Sequence, residues 1–432
     1  MLIKTGSLVA ALLFAGTAMA QTQTDTTTDF KPSGKLWGYA FGDLAYKGSN
    51  DEAGRGGSNQ YTRVPANANI FQWRRIYLGY DYNISPRLQA EFLLAAEDDF
   101  AGGIEGQAPA SVTVNTVTGV GTPSLGSNGD VLLNNKFSPY IKLADLRWKN
   151  IFKNSDLVIG QSSTPGFAKN GSGMASEEVW GYRSIERTLI DIRRTTSFDF
   201  GFALQGRFTN NGNFGYTIMA ANGQGDRPEN DQYKWFYGDI WGKFAKKRVI
   251  VDLYQDYTKL TWGAFVKGNN GPQYRDRNMT KLFAAYVTKK LTIGAEGFMN
   301  TLMGDLQVTG KDGQTYYRTT KATGVSVFAK AQLITDKLNV FARFDNYDPS
   351  GNLSSVVNDA ALKPTKFTAL TAQYDPSTKE MFATFGFDYM PYKNVHIMPN
   401  VWINTYTNAL NTSGVKGTDA VYRLTFYYIY GK

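Results

Sequence analysis

Segments in which apolar and polar residues alternate recur along this chain, and the connections between them alternate too, short then long. In one segment Ile76, Leu78, Tyr80 and Tyr82 share a face, while Arg75, Tyr77, Gly79 and Asp81 share the other. Successive strand side chains point to opposite sides, so the pattern describes a strand with one apolar and one polar face. Leu88, Ala90, Phe92 and Leu94 against Gln89 and Glu91 repeat it, as do Phe198, Phe200, Phe202 and Leu204 against Asp199, Gly201, Ala203, Gln205 and Arg207. Farther on, Leu338, Val340, Ala342 and Phe344 oppose Arg343 and Asp345, and Val395, Ile397, Val401 and Ile403 oppose His396, Asn400 and Asn404. The segments around 235–244 and 281–287 do not declare a facing.

Short polar turns fall at 83–86, 153–154, 210–213, 245–248, 288–290, 335–337 and 391–394. Between them lie Gly-, Asn- and Asp-rich connections at about 47–69, 100–135, 163–195, 221–232, 260–275, 301–319, 348–379 and 407–418. Seven short turns make seven hairpins, and a first and a last strand bring the total to about sixteen. An even number of strands, apolar on one face and polar on the other, with short turns at one end and longer loops at the other, is the pattern of a bacterial outer-membrane barrel. The fold class expected is therefore all-β: a transmembrane antiparallel β-barrel with a water-filled lumen. A soluble sandwich is the competing architecture, but it does not need charges repeatedly on one face and aromatics on the other.

The ends and the composition agree. Lys4, the apolar run 8–15 and Ala18-Met19-Ala20 form a secretory signal peptide over residues 1–20. Its removal takes the formal charge from +9 to +8. Residues 21–33 are Thr-rich and read as a flexible leader, and 34–432 as the barrel. No other stretch approaches the ~20 apolar residues of a membrane helix. The 26 Tyr, 27 Phe and 8 Trp suit a pleated surface and a membrane interface. Without cysteine, an exported chain of this length relies on an extensive sheet or core.

The third long connection, 163–195, stands apart. It opens with a Pro-Gly and small-residue run, continues with a helix-compatible segment at about 176–190, and is dense in charge. A long connection with its own structure is usually functional. It is expected to fold into the barrel as a constriction. In a pore the chemistry is the field, and charged side chains at the narrowest point select by sign. The candidates on the connection are Arg183, Arg187, Arg193 and Arg194 with the acids Glu186 and Asp191; on the wall they are Arg75, Arg147, Arg207 and Asp145. Arginine suits phosphate or carboxylate because its fork binds two oxygens at once. Interleaved acids make a mixed constriction with a transverse field; a bare basic lining selects anions. Lumen salt bridges are the alternative use of the same residues.

The last strand, with Tyr422, Leu424, Phe426, Tyr428 and Tyr430 alternating with Arg423, Thr425, Tyr427 and Ile429, looks like the C-terminal recognition strand of outer-membrane barrels. A narrower resemblance rests on Asp145-Leu146-Arg147-Trp148, then Val158 through Pro165, then Ser184-Ile185-Glu186-Arg187, then Gly201 through Gly206. This order resembles the phosphate-selective porin O and P family over about residues 71–208. The resemblance implies a sixteen-stranded, usually trimeric diffusion channel in the outer membrane with an inward-folded third loop. Its partners would be small hydrophilic or anionic solutes, phosphate among them, and outer-membrane lipid. Two competing readings stand beside it: a gated or ligand-specific channel whose loops at 100–135 and 348–379 form a lid, and a structural or partner-binding barrel whose lumen is closed.

Enzymatic readings fare poorly. His396 is the single histidine and has no sequence-level companion for acid–base or nucleophilic work. No His and Cys cluster suggests a metal, no phosphate loop precedes a helix, and no cofactor or nucleic acid is expected. Glu97-Asp98-Asp99 reads better as a solvated turn than as a hard-cation site, which needs about six oxygens.

Overall fold

In a computed structural model, nineteen antiparallel strands form one closed sheet in which the first strand pairs with the last. The described residues are 30–51, 61, 64–97, 111–114, 121–124, 139–167, 176–181, 184–185, 188–192, 196–225, 227–229, 232–261, 274–360, 366–369, 377–408 and 417–431. Residues 1–20 and most of the leader lie outside them.

The first half of the wall comprises β1 (Ser33–Ser49), β2 (Asn69–Asn83), β3 (Leu88–Glu97), β6 (Pro139–Phe152), β7 (Ser155–Ser163), β8 (Phe198–Arg207), β9 (Phe214–Ala221) and β10 (Trp235–Phe244). The second half comprises β11 (Val249–Thr261), β12 (Tyr274–Val287), β13 (Leu291–Thr309), β14 (Thr315–Ile334), β15 (Leu338–Asp348), β17 (Thr378–Tyr392), β18 (Val395–Asn408) and β19 (Gly417–Tyr430). These are sixteen strands. Three four-residue strands, β4 (Ser111–Val114), β5 (Gly121–Ser124) and β16 (Lys366–Ala369), belong to the long connections.

Alternation decides the facing. Phe200, Phe202, Ile218, Phe236, Leu282, Val325, Phe344 and Tyr422 are exposed on the outer surface, while Asp239, Asp252, Lys281, Glu296, Arg343 and Arg423 are buried inside. The two segments with no declared facing resolve the same way, with Asp239 and Lys281 inward and Ile240 and Leu282 outward. Phe198 departs from the expected row. It is buried against Tyr140, with the Lys142 ammonium 5.2 Å from its ring, because the chain there is already turning into the third connection.

All seven short turns stand where expected, and they share a backbone device. The carbonyls of Arg87, Asn154, Asn213, Arg248, Lys290, Lys337 and Asn394 accept from the amides of Lys149, Arg207, Lys243, Val287, Gln332, Met390 and Ile429. Each turn is thereby stitched to the hairpin that follows it. At the other end the expectation of a long connection over 301–319 is corrected. β13 and β14 continue to Thr309 and from Thr315, leaving only five residues between them. At ~3.3 Å per residue, β13 is ~60 Å long, well beyond a ~25 Å apolar band. A register shift between Leu302 and Leu306 lets its tip pair with β16, and β16 pairs with β4. Parts of the 98–138 and 349–377 connections are thus tied together, where sequence suggested a lid. Leu306 and Val308 bury against Leu353 and Val356 of the short helix Leu353–Val357 at the same place.

Candidate pore constriction

The third connection leaves β7 at a fixed point. Gly160 has φ +118, a conformation that favours glycine, and a Cβ there would lie 2.4 Å from the Ala144 carbonyl. The Gln161 amide donates to the carbonyls of Ile141 and Lys142, where a register shift in β6 leaves backbone groups off the ladder. Thr164 closes the base, its amide donating to the Ser197 carbonyl and its hydroxyl to that of Thr196. Pro165 then opens a 3-10 turn, Pro165–Phe167. The residues of the Gly-Gln-x-x-Thr-Pro pattern thus shape the departure of the connection.

From there the described parts reach inward-facing side chains around the wall. The Gly166 carbonyl accepts from Lys281 on β12 at 3.3 Å. In the helix Ser176–Trp180, the Trp180 ring packs against Phe328 on β14 and Phe341 on β15, and its carbonyl accepts from Lys330. Gly181, at φ +75, ends that helix, and Trp180 Nε1 donates to the Ile185 carbonyl at 2.7 Å. The expected continuous helix is therefore two short ones, Ser176–Trp180 and Leu189–Ile192. Ser184 is the far anchor. Its carbonyl accepts from Arg74 on β2 and Arg423 on β19, and its hydroxyl meets Thr384 Oγ1 on β17 and Trp402 Nε1 on β18.

Arg74 had no place in the sequence reading, because simple alternation points it outward. A register shift in β2, where Phe41 faces Arg75 but Gly42 faces Trp73, turns both Arg74 and Arg75 inside. Two adjacent arginines at the start of a strand were the available signal. Arg74 and Arg423 flank Asp43, at 3.3 and 3.1 Å, and Tyr61 Oη donates to the same carboxylate at 2.6 Å. Arg423 also donates to Asn400 and lies 3.9 Å over the Trp402 ring. Each of these residues is buried and has a charged or hydrogen-bonded partner, although Arg74 Nε makes no hydrogen bond among the described residues. Removing one member of such a buried network costs ~3–5 kcal/mol.

Halfway round the barrel, β10 to β13 carry another kind of cluster. Lys281 faces Asp252 at 3.4 Å and Glu296 at 3.9 Å, with Asp239 on the neighbouring strand. The oxygens of Asp252 and Glu296 are buried with no hydrogen-bond partner of ordinary geometry among the described residues. Beside them Arg277 and Asp256 form a closed bidentate pair at 3.3 Å. Acids outnumber bases in this arc.

The remaining wall candidates separate. Arg75 is buried and donates to Tyr77 Oη at 2.9 Å, with Glu97 at 3.7 Å. Glu97 also holds Lys142 and Tyr77, so it is part of the wall and not a solvated turn. Arg147 pairs with Asp156 at 3.5 Å, and Asp145 lines a polar cleft with Glu91, Arg147 and Gln205. Arg207 is exposed at the short-turn rim, beside the Asn-Gly turn, away from the third connection's anchors. Arg183, Arg187, Arg193, Arg194 and Glu186 lie outside the described residues. Asp191 is described only as backbone of the second short helix. His396 donates or accepts at 2.8 Å with Asp388, beside Asn339 and Tyr427, with no nucleophile among those contacts.

No protein-family model matches this chain, and no curated protein matches it. Solved structures do. The outer-membrane channel DcaP of Acinetobacter baumannii is 12% identical with a TM-score of 0.59, covering 94% of this chain and 99% of that one. OmpT, an outer-membrane protein of Vibrio cholerae solved in a trimer form, is 10% identical with a TM-score of 0.52, covering 93% and 100%. The anion-selective porin from Comamonas acidovorans is 11% identical with a TM-score of 0.50, covering 93% and 100%. At these identities the likeness is one of fold: the chain has the architecture of outer-membrane porins.

Proposed function

We propose that this protein is an outer-membrane porin, a trimeric, water-filled channel for passive diffusion of small hydrophilic solutes with a mild preference for anions such as phosphate. The observation that carries the reading is the sixteen-strand closed wall, apolar outside and charged inside, with the third connection fastened to inward-facing groups from β12 round to β2. That connection is the constriction. We assign selectivity to its charged residues, Arg183, Arg187, Arg193 and Arg194 with Glu186 and Asp191, together with a lumen whose arginine-rich and acid-rich arcs face each other, a layout that sets a field across the pore. The anion preference draws on the arginines around Ser184 and on the fold shared with an anion-selective porin. Trimerisation draws on the fold shared with a protein solved as a trimer.

Reversal potential across a planar bilayer in a salt gradient tests this. Wild type is expected to conduct and to favour the anion mildly; Arg187→Ala and Arg193→Ala each reduce that preference. Absence of any conductance defeats the channel reading, and unchanged selectivity in both variants removes the third connection from the mechanism.

A further inference from the structure

The charge of this chain is not spread over the barrel. The β10–β11 turn carries Lys246, Lys247 and Arg248, and the next, between β12 and β13, carries Lys289 and Lys290. Arg87, Lys153, Lys337 and Lys393 stand one to a turn in four others, and Asp336 is the single acid among the seven turns. Nine bases against one acid give the turns a balance of +8, while the whole chain is +9. The eight connections at the opposite end (50–68, 98–138, 164–197, 222–234, 262–273, 310–314, 349–377, 409–416) balance to −1. Essentially the entire excess therefore sits in seven short turns at one rim.

These nine side chains are all exposed, and their backbones are fixed. The carbonyls of Arg87, Arg248, Lys290 and Lys337 are among the seven that stitch each turn to the next hairpin. Ala245, Lys246 and Lys247 hold φ of +49, +58 and +65, a left-handed run that non-glycine residues rarely adopt. Immediately inboard stand outward-facing apolar groups: Phe152 beside Lys153, Phe244 before Lys246, Ile334 before Lys337 and Tyr392 beside Lys393, all exposed. A cationic rim lying one to three residues from lipid-facing apolar side chains is at the depth of phospholipid headgroups, just outside the hydrocarbon.

We propose that the short-turn rim binds the phosphate groups of anionic phospholipids in the adjoining leaflet, most densely at the neighbouring turns 245–248 and 288–290. Short turns face the periplasm in barrels of this class, so the leaflet is the periplasmic one. The proximity of the bases to the apolar belt favours a lipid over a soluble acidic polymer, which would have no contact with that belt. Juxtamembrane bases attract anionic lipid over about a Debye length.

Native mass spectrometry of the detergent-solubilised full chain, titrated with phosphatidylglycerol or phosphatidylcholine, tests the proposal. Phosphatidylglycerol is expected to bind in preference, and the preference to weaken as ionic strength rises. Combined K246Q, K247Q, R248Q, K289Q and K290Q substitution should lower phosphatidylglycerol affinity by about tenfold or more. Lys311→Gln with Lys321→Gln, at the opposite end, should leave it unchanged. Equal binding of the two lipids by wild type overturns the proposal, as does an equal loss in the control. Complete displacement of phosphatidylglycerol by millimolar inorganic phosphate overturns it too, by marking a site for the free anion. The wild-type lipid comparison stands even if the fivefold variant fails to fold.

Discussion

Across the lumen, two clusters of buried charge are built by opposite rules. Around Asp43, two arginines share one carboxylate, both also donate to the Ser184 carbonyl of the third connection, and Arg423 reaches Asn400 as well. Around Lys281, one ammonium serves two carboxylates at long range, with a third acid on the adjoining strand, and it donates to the Gly166 carbonyl of the connection. In the first cluster each charge is paired with an opposite charge at 3.3 Å or less, and it acts as a clasp. The second sets three acids beside one ammonium, and the Asp252 and Glu296 oxygens make no hydrogen bond of ordinary geometry among the described residues. Buried ions are costly unless paired and hydrogen-bonded, so a cluster that leaves carboxylate oxygens unpartnered is poorly suited to holding the fold.

That contrast can be broken most decisively by Asp43→Ala. It leaves Arg74 and Arg423 facing each other with no carboxylate between them and should cost ~3–5 kcal/mol, read as a lowered midpoint of urea unfolding in detergent. Asp252→Asn in the opposite arc should cost less than ~1 kcal/mol or stabilise, because it removes a carboxylate from an excess of acids. Equal losses from the two substitutions would erase the distinction. Lys281→Met sharpens it: deleting the single cation among three acids should destabilise by ~3 kcal/mol or more.

Selectivity gives a smaller effect. A unit charge ~7 Å from a permeant ion at water-like dielectric is worth ~0.6 kcal/mol, about a threefold change in local ion concentration. Glu296→Gln should therefore raise anion preference by up to about threefold in reversal-potential measurements, and Arg75→Ala should lower it by a similar factor. Ser184→Ala probes the clasp where it meets the third connection. It removes the hydroxyl that meets Thr384 and Trp402 but keeps the carbonyl that the two arginines hold, so ~1 kcal/mol of stability should be lost with unitary conductance nearly unchanged.

Much of the wall was legible because its signal is local. Each strand must show lipid one kind of residue and water another, and each short turn must break that rhythm, so all seven turns could be read from residues alone. Where reading failed, a non-local pairing had intervened. The shift in β2 that turns Arg74 inward depends on the partner strand, as does the long β13–β14 hairpin, whose polar, Gly-containing segment resembles a loop until its edge is paired with β16. Phe198 sits where a strand becomes a loop, and alternation does not hold there. The third connection was recognisable by composition and position, and Gly160, Gln161, Thr164 and Pro165 by pattern. What they hold was not legible, since Ser184 meets Arg74 and Arg423 across separations of 110 and 239 residues.

Closure of the wall has a consequence for how the chain is made. β1 pairs with β19 from Gly38 opposite Tyr430, and the Tyr430 hydroxyl reaches over β1 to donate to the Tyr77 carbonyl on β2 at 2.6 Å. The contacts that seal the cylinder therefore join the two extremes of the sequence and form only once the last segment has been delivered. Until then every growing intermediate is an open sheet with two bare edges, a state prone to pairing with other chains and slow to resolve. A chain cut short before β19 would not give a narrower cylinder. It would remain an edge-exposed sheet, open to pairing with its own copies.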